Sequence, residues 1–249
     1  MTIEPEDALP TEGLVCVVGA GGKKTTLYTL ANRLDRAIVT ATVRIPIFDD
    51  HVARVAVTKA PVDALAAADR DAGDFPLGLV PEQERDDRYL GYDTAVVDDL
   101  TDAHDGPVLV KADGARMREF KAPSDREPQI PAGADAVVPI ASAHVVGEPL
   151  TDERVHRPER VAAVADIDEG EEVTAEAVGR VLASPAGGLK DVPPGAEVVA
   201  LVNKVDDADD EVVAREIARA AFEADNAGRL DRVVLAALGE GRVVDVLDA

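Results

Sequence analysis

The residues best suited by type and spacing to do chemistry form a glycine- and lysine-rich turn, Gly19-Ala-Gly-Gly-Lys-Lys-Thr-Thr26. Glycines allow backbone N–H groups to turn inward, and a helix that begins there adds partial positive charge. A lysine can then reach the β- and γ-phosphates of a nucleotide, and a hydroxyl after it can bind Mg²⁺. The predicted cofactor-binding residues of this phosphate-binding loop are Gly19, Ala20, Gly21, Gly22, Lys23, Lys24, Thr25 and Thr26.

The register of this loop departs from the pattern G-x-x-x-x-G-K-[ST], because Lys24 follows Lys23 rather than a glycine. We assign the catalytic phosphate contact to Lys24 and magnesium ligation to Thr25, since a cationic side chain in the hydroxyl position could not bind the metal. The opposite register, with Lys23 on the phosphates, stays open. A glycine-rich strand-to-helix turn with two surface lysines is the alternative without a function.

A carboxylate follows the apolar run Pro107-Val-Leu-Val-Lys-Ala-Asp113. Nucleotide-binding α/β folds place the acid that holds Mg²⁺ after such a strand, so Asp113 is the predicted metal and catalytic residue. Asp98 and Asp99, which follow Ala95-Val-Val, compete for this role in a shorter and more helix-like run. An acid that merely caps a strand end is the alternative for both sites.

A guanine-reading pattern ends the apolar run that begins at Val198, with Asn203 and Lys204 followed after one residue by Asp206. An aspartate there accepts hydrogen bonds from guanine N1–H and the 2-amino group, the lysine stem lies on the base, and the asparagine supports the loop. Adenine lacks those donors and would leave the carboxylate unpaired. The pattern predicts GTP rather than ATP, although four residues in an Asp-rich chain can also match by chance.

A local basic cluster, Arg116, Arg118 and Lys121, follows Asp113 in a strongly acidic chain. It could close over phosphates or hold an anionic substrate. A salt-bridged loop is the equally open alternative.

The elements that must position these residues alternate between short β-branched runs and helical patterns. This alternation predicts an α/β fold with a mostly parallel sheet and helices on both faces, similar to P-loop NTPases. We predict one domain over residues 1–249, with irregular excursions near residues 73–92 and 114–131. The predicted strands are 14–18, 37–43, 52–57, 108–112, 135–140, 198–202 and 233–238, and the clearest predicted helices are 25–34, 160–165, 175–182 and 211–224.

The charge composition of the chain excludes some classes of binding partner. The 249 residues carry 49 acidic and 26 basic side chains, a net charge of −23, which repels nucleic acids and anionic membranes and is typical of proteins that work in high salt. One cysteine and four histidines without ligand spacing make a Cys- or His-based metal site improbable. The first residues lack a signal-peptide pattern and no apolar run approaches about 18 residues, so we expect a cytoplasmic protein.

Several motifs together resemble a known family. They are Val18–Thr26, Ala112-Asp-Gly-Ala-Arg116, Lys121-Ala-Pro123 with Glu127-Pro-Gln-Ile-Pro131, His156-Arg-Pro-Glu159, Gly187-Gly-Leu-Lys190 and Asn203-Lys-Val-Asp206. In this order they resemble the YqeC-like accessory proteins of selenium-dependent molybdenum hydroxylases, here as a haloarchaeal-type member. Many relatives carry a single lysine in the glycine turn and an acid at the position of Lys111.

The resemblance implies a P-loop nucleotide-binding helper in the maturation of a molybdenum-containing hydroxylase, acting on the enzyme or its cofactor. Combined with the motifs, it leads us to expect a cytoplasmic accessory protein that binds GTP (or ATP) with Mg²⁺ and hydrolyses it. Two alternatives stay open: a nucleotide-regulated binding module without significant turnover, and a small-molecule kinase or ligase in which Arg116, Arg118 and Lys121 hold the substrate.

Overall fold

The computed structural model describes residues 3–68 and 72–249. Within them the helices are α1 (Pro5–Ala8), α2 (Lys23–Ala31), α3 (Pro61–Ala68), α4 (Thr94–Asp102), α5 (Pro158–Ala165), α6 (Ala175–Leu182) and α7 (Ala208–Ala224). The strands are β1 (Leu14–Gly19), β2 (Ile38–Ala41), β3 (Ile45–Pro46), β4 (Arg54–Val57), β5 (Leu77–Val80), β6 (Gln83–Arg85), β7 (Arg88–Tyr89), β8 (Val108–Lys111), β9 (Phe120–Lys121), β10 (Ala136–Ser142), β11 (Val155–His156), β12 (Glu197–Asn203), β13 (Arg232–Ala237) and β14 (Arg242–Asp248).

A nine-stranded sheet forms the centre of the described chain, in the order β14-β13-β12-β10-β1-β8-β2-β5-β4. Every neighbouring pair is parallel except β13 and β14. Because β1 lies between β8 and β10, the chain leaves it in one direction toward β2 and later returns on its other side. Open α/β sheets bind ligands beside such a reversal, at the carboxyl ends of the strands.

Apolar side chains on both faces of the sheet explain why its strands are almost continuously hydrophobic. On one face β1 packs against α2 through Val15, Val17, Leu27 and Leu30. The opposite face is covered by α3 and α4 beside β1 and β8, and by α5, α6 and α7 beside β12 and β13. The predicted α/β architecture with a mostly parallel sheet is therefore confirmed.

Most predicted elements occur with shifted ends. Helix 175–182 matches α6, whose Thr174 caps the first turn by accepting the N–H of Ala177. The predicted helix 25–34 begins two residues earlier, at Lys23, and ends at Ala31, where Asn32 folds its side chain back onto the carbonyl of Tyr28. Leu34 therefore lies outside the helix.

Residues 73–92, expected to be irregular, contribute β5 to the main sheet and β6 and β7 to a small separate sheet. Gly78 interrupts the apolar pattern of β5, and a Cβ at this position would lie 2.6 Å from the ring of Phe48. The missing side chain therefore makes room for a core aromatic ring. The other expected excursion, 114–131, contains only the short strand β9 among regular elements, paired with β11.

No helix in the described residues is long and apolar enough to cross a membrane.

Candidate functional site

The glycine turn joins the carboxyl end of β1 to the start of α2 and lies against two neighbouring strand ends. Gly21 and Gly22 have φ angles of +90° and +150°, which side-chain-bearing residues rarely adopt. A Cβ on Gly21 would lie 2.6 Å from the backbone nitrogen of Ser142, and one on Gly22 would lie 2.1 Å from Nδ2 of Asn203. Glycine is required at both positions because the turn is packed on both sides.

The beginning of α2 offers unused hydrogen-bond donors. Within the described chain the N–H groups of Gly22, Lys23, Lys24 and Thr25 donate to no acceptor, as expected for the first turn of a helix. The partly exposed side chains of Lys24 and Thr25 likewise form no hydrogen bond or ion pair with the described residues. This end of α2 can therefore receive an anion without breaking an existing contact.

Lys23, in contrast, points back over the turn. Its side chain is 5% exposed, it donates to the carbonyl of Gly19, and its ammonium lies 2.9 Å from Oδ1 of Asp113. Asp113, two residues beyond β8, accepts the N–H of Gly19 at 2.9 Å through Oδ2. That same oxygen lies 2.9 Å from the ammonium of Lys121. Asp113 thus joins the ends of β1, β8 and β9.

Burial and charge act in opposite directions on this group. Burial would raise the pKa of Asp113, but Lys23 and Lys121 outweigh it and hold that pKa below the ordinary range. Burial lowers the pKa of Lys23 despite the attraction of Asp113. Burial and the neighbouring Lys23 lower the pKa of Lys111 to about 7, and its ammonium donates to the carbonyls of Arg44 and Asp113.

A second set of charges surrounds Lys121. Its ammonium donates to the carbonyl of Gly114 at 2.6 Å and to Oε2 of Glu127 at 3.1 Å. That carboxylate also accepts a hydrogen bond from Arg157 at 2.8 Å. Lys190 donates to the backbone carbonyl of Glu127 at 2.8 Å, which brings the Gly187-Gly-Leu-Lys190 motif to the same place.

Lysine is scarce in the chain and concentrated at this edge of the sheet. The chain has seven lysines, and all but Lys59 lie in or beside the glycine turn and its Asp113 network. We call this region, formed by the ends of β1, β8, β10 and β12, the lysine edge. In a chain of net charge −23, such a concentration favours an anionic ligand.

The residues predicted to hold magnesium do not fit that ion in this arrangement. Each oxygen of Asp113 already lies 2.9 Å from an ammonium, and its side chain is 2% exposed. A divalent ion would have to displace a lysine and then remain beside the others. The hydroxyl of Thr25 is available, whereas the carboxylate of Asp113 is not.

Asn203, at the end of β12, connects the glycine turn to the segment after β13. Its Nδ2 donates to the carbonyl of Gly21 at 2.8 Å, and its Oδ1 accepts the N–H of Leu238 at 3.0 Å. With 3% exposure it is a buried side chain with both polar atoms bonded. The structure therefore places the predicted base-reading segment directly beside the predicted phosphate-binding loop.

The other two residues of this motif lie farther out. Lys204, at a φ of +62°, pairs with Glu119 at 2.7 Å. Asp206 has a half-exposed carboxylate whose Oδ2 lies 3.4 Å from Nε2 of His144, and Oδ2 of Asp210 lies 3.3 Å from the same nitrogen. The sequence spacing gave no indication of this grouping of one histidine with two carboxylates.

The segment after Asp113 covers the glycine turn, because the N–H of Gly21 donates to the carbonyl of Arg118 at 3.1 Å. Arg116 and Met117 have positive φ angles, and Met117 is 85% exposed. The competing acids Asp98 and Asp99 lie within α4 rather than after a strand. Sequence reasoning missed Glu127 and Arg157 as partners of Lys121, although the rarity of lysine was a usable indication.

Comparisons with known proteins agree with the resemblance seen in the motifs. The chain is 25% identical over 209 residues to the uncharacterized protein YqeC of Escherichia coli (strain K12), which covers 82% of this chain and 80% of that protein. No solved structure matches. The family model described as YqeC protein matches residues 15–159, which include the glycine turn, Asp113 and the Lys121 network. The chain belongs to the YqeC family.

Proposed function

We propose that the chain is a guanine-nucleotide-binding accessory protein that serves the maturation of a molybdenum-containing hydroxylase. One observation carries the proposal of nucleotide binding. Helix α2 begins at the lysine edge, where its first N–H groups and the side chain of Lys24 have no partner among the described residues. Free backbone N–H groups, a helix N-terminus and a cationic side chain are the elements from which phosphate sites are built. Cytoplasmic location remains part of this proposal.

Three features of the fold support a nucleotide over a simple anion. The strand that precedes Asp113 lies next to β1, so the carboxylate and the glycine turn meet. Asn203 couples the turn to the segment that carries Asp206, the residue that we propose reads the base. The cavity beside Asp113 and Lys121 has a volume of only about 20 Å³, so a nucleotide would lie along the outer edge.

Binding of fluorescent GTP and ATP analogues in high-salt buffer tests the proposal. We expect GTP to bind and Lys24→Ala to weaken binding about tenfold or more, because a charge-assisted contact is lost. Asp206→Ala should remove a preference of about 5- to 150-fold for GTP over ATP, the equivalent of 1–3 kcal/mol. Lys59→Ala, which removes an exposed lysine distant from the turn, is the matched control.

Absence of binding by either analogue to the folded protein would refute the nucleotide proposal. Equal binding of GTP and ATP that Asp206→Ala leaves unchanged would refute only guanine recognition.

The accessory role rests on family membership and needs its own test. A purified molybdenum hydroxylase should be retained by the immobilised protein in a nucleotide-dependent manner, and Lys24→Ala should remove that dependence. Retention that is identical with and without nucleotide would contradict the proposal. Measurement of phosphate release without any client then separates an NTPase from a binding module without turnover.

A small-molecule kinase or ligase is the second candidate, favoured by the cover that the segment after Asp113 forms over the turn. The carbonyl of Arg118 contacts Gly21, and Lys121 reaches Asp113, so an acidic substrate held there would adjoin the phosphates. This candidate predicts that phosphate transfer requires an added acidic metabolite and is lost in Arg116→Ala. Substrate-free hydrolysis at an unchanged rate in that variant would contradict it.

A further inference from the structure

The second residue of α2 differs from what a magnesium-dependent phosphate loop needs. In such loops the residue after the lysine supplies a hydroxyl to Mg²⁺. Here Lys23 is the lysine that folds back onto the carbonyl of Gly19 and onto Asp113, and the residue after it is Lys24. A lysine thus stands at the sequence position where the metal-binding hydroxyl belongs.

The carboxylate that would complete a magnesium site already has cationic partners. Asp113 is 1% exposed and is bound by Lys23, Lys121 and the N–H of Gly19, each at 2.9 Å. Lys111 donates to the backbone carbonyl of Asp113. A divalent cation would have to enter among several ammonium groups and would be repelled by each of them.

The same ammonium groups suit a polyphosphate that carries no metal. Free nucleoside triphosphate has about four negative charges near neutral pH. Lys23, Lys24 and Lys121, with the nearby Lys111, face the carboxylates of Asp113 and Glu127, so the basic groups outnumber the acidic ones. Lys24 has no partner within the described residues, so no carboxylate among them neutralises its charge.

We propose that lysine side chains replace magnesium in this chain, so that the polyphosphate binds as the free anion with Lys24 in the place of the metal. This inference rests on the proposed nucleotide function and deepens it. It assigns Lys24 a contact with the phosphates and leaves Asp113 to position Lys23 and Lys121.

Titrations in EDTA and in saturating magnesium, at constant sodium chloride, test the inference. Two probes are used: a fluorescent GTP analogue, and inorganic triphosphate followed by calorimetry. We expect the wild-type protein to bind GTP at least as tightly in EDTA as in saturating magnesium, because magnesium complexes the free polyphosphate and competes with the lysines for it. Lys24→Thr should weaken binding in EDTA by about tenfold or more, as for a lost charged contact, and magnesium should restore part of the loss. Lys59→Thr is the control and should resemble wild type in both.

Each alternative result has a defined meaning. A tenfold or larger loss of wild-type affinity in EDTA would overturn the inference, as would equal behaviour of Lys24→Thr and Lys59→Thr. Metal-independent binding of inorganic triphosphate without binding of GTP would support lysine in place of magnesium and refute the nucleotide function. Failure of both probes to bind protein that is folded by circular dichroism would overturn both.

Discussion

Replacement of Asp113 by asparagine is the most direct test of how the lysine edge is held together. The side chain is 2% exposed and lies 2.9 Å from the ammonium groups of both Lys23 and Lys121. Asparagine keeps the shape and one carbonyl oxygen, but it removes the charge and directs an NH₂ group at one of the two lysines. Two buried ammonium groups then lose the carboxylate that they share.

Removal of one partner from a buried ion pair costs about 3–5 kcal/mol, because an uncompensated buried charge remains. The lost attraction to two ammonium groups puts Asp113→Asn within that range. A matched exposed carboxylate is available in Asp125, whose side chain is 88% exposed and pairs with Arg160 at 2.9 Å. Asp125→Asn should cost at most about 1 kcal/mol.

Urea unfolding followed by far-ultraviolet circular dichroism is the suitable assay, since the chain has no tryptophan and urea leaves the ionic strength unchanged. We expect the free energy of unfolding to fall by about 3 kcal/mol or more for Asp113→Asn relative to Asp125→Asn. The double variant Asp113→Asn/Lys23→Met should recover part of this loss, because Lys23 pairs with Asp113 and the variant removes the charge that is left without this partner.

The reasoning would be refuted by a loss below about 1 kcal/mol for Asp113→Asn. It would also fail if the double variant were less stable than Asp113→Asn alone, since removal of Lys23 would then not relieve an uncompensated charge.

Three further predictions concern the same edge. Asn203→Ala should cost about 2–3 kcal/mol of unfolding free energy in urea, because the carbonyl of Gly21 and the N–H of Leu238 both lose a buried partner; a loss below about 0.5 kcal/mol would contradict this. Gly22→Ala should abolish GTP binding in the fluorescence assay, since its Cβ would meet Asn203 at 2.1 Å and the φ of +150° is strained; wild-type affinity would contradict it. A bound anion should raise the pKa of Lys111 from about 7, so GTP affinity should fall as pH rises above 7. This slope should be absent in Lys111→Met, and an unchanged slope would exclude Lys111 as its source.

The sequence was sufficient for the features that depend on local order. The apolar run of β1, the glycine turn and the acid after β8 are each readable within about ten residues, and the parallel sheet follows from the alternation of strands and helices. The sequence did not predict β5, because Gly78 interrupts an apolar run of only four residues. The glycine is needed because of the ring of Phe48, which lies thirty positions earlier in the chain.

The contacts within the candidate site are long-range, and this is why they could not be predicted. Lys121 meets Asp113 and Glu127 only because β9 pairs with β11, which also brings Arg157 to the same carboxylate. The choice between Lys23 and Lys24 depends on where α2 begins. Spacing alone leaves that choice open, whereas the helix that starts at Lys23 directs the Lys23 ammonium to Asp113 and leaves Lys24 without a partner in residues 3–68 and 72–249.

Because lysine is concentrated at one edge of the sheet, chemical modification of lysine can report whether a ligand occupies the glycine turn. An amine-reactive reagent would modify few positions, and their exposure ranks them: Lys59 is 82% exposed, whereas Lys23 and Lys121 are nearly inaccessible. Lys24 is partly exposed and has no partner among the described residues, so it should react early. The ratio of label on Lys24 to label on Lys59, read by peptide mass spectrometry, would therefore follow occupancy of the turn in the unmodified wild-type sequence, even inside a cell extract.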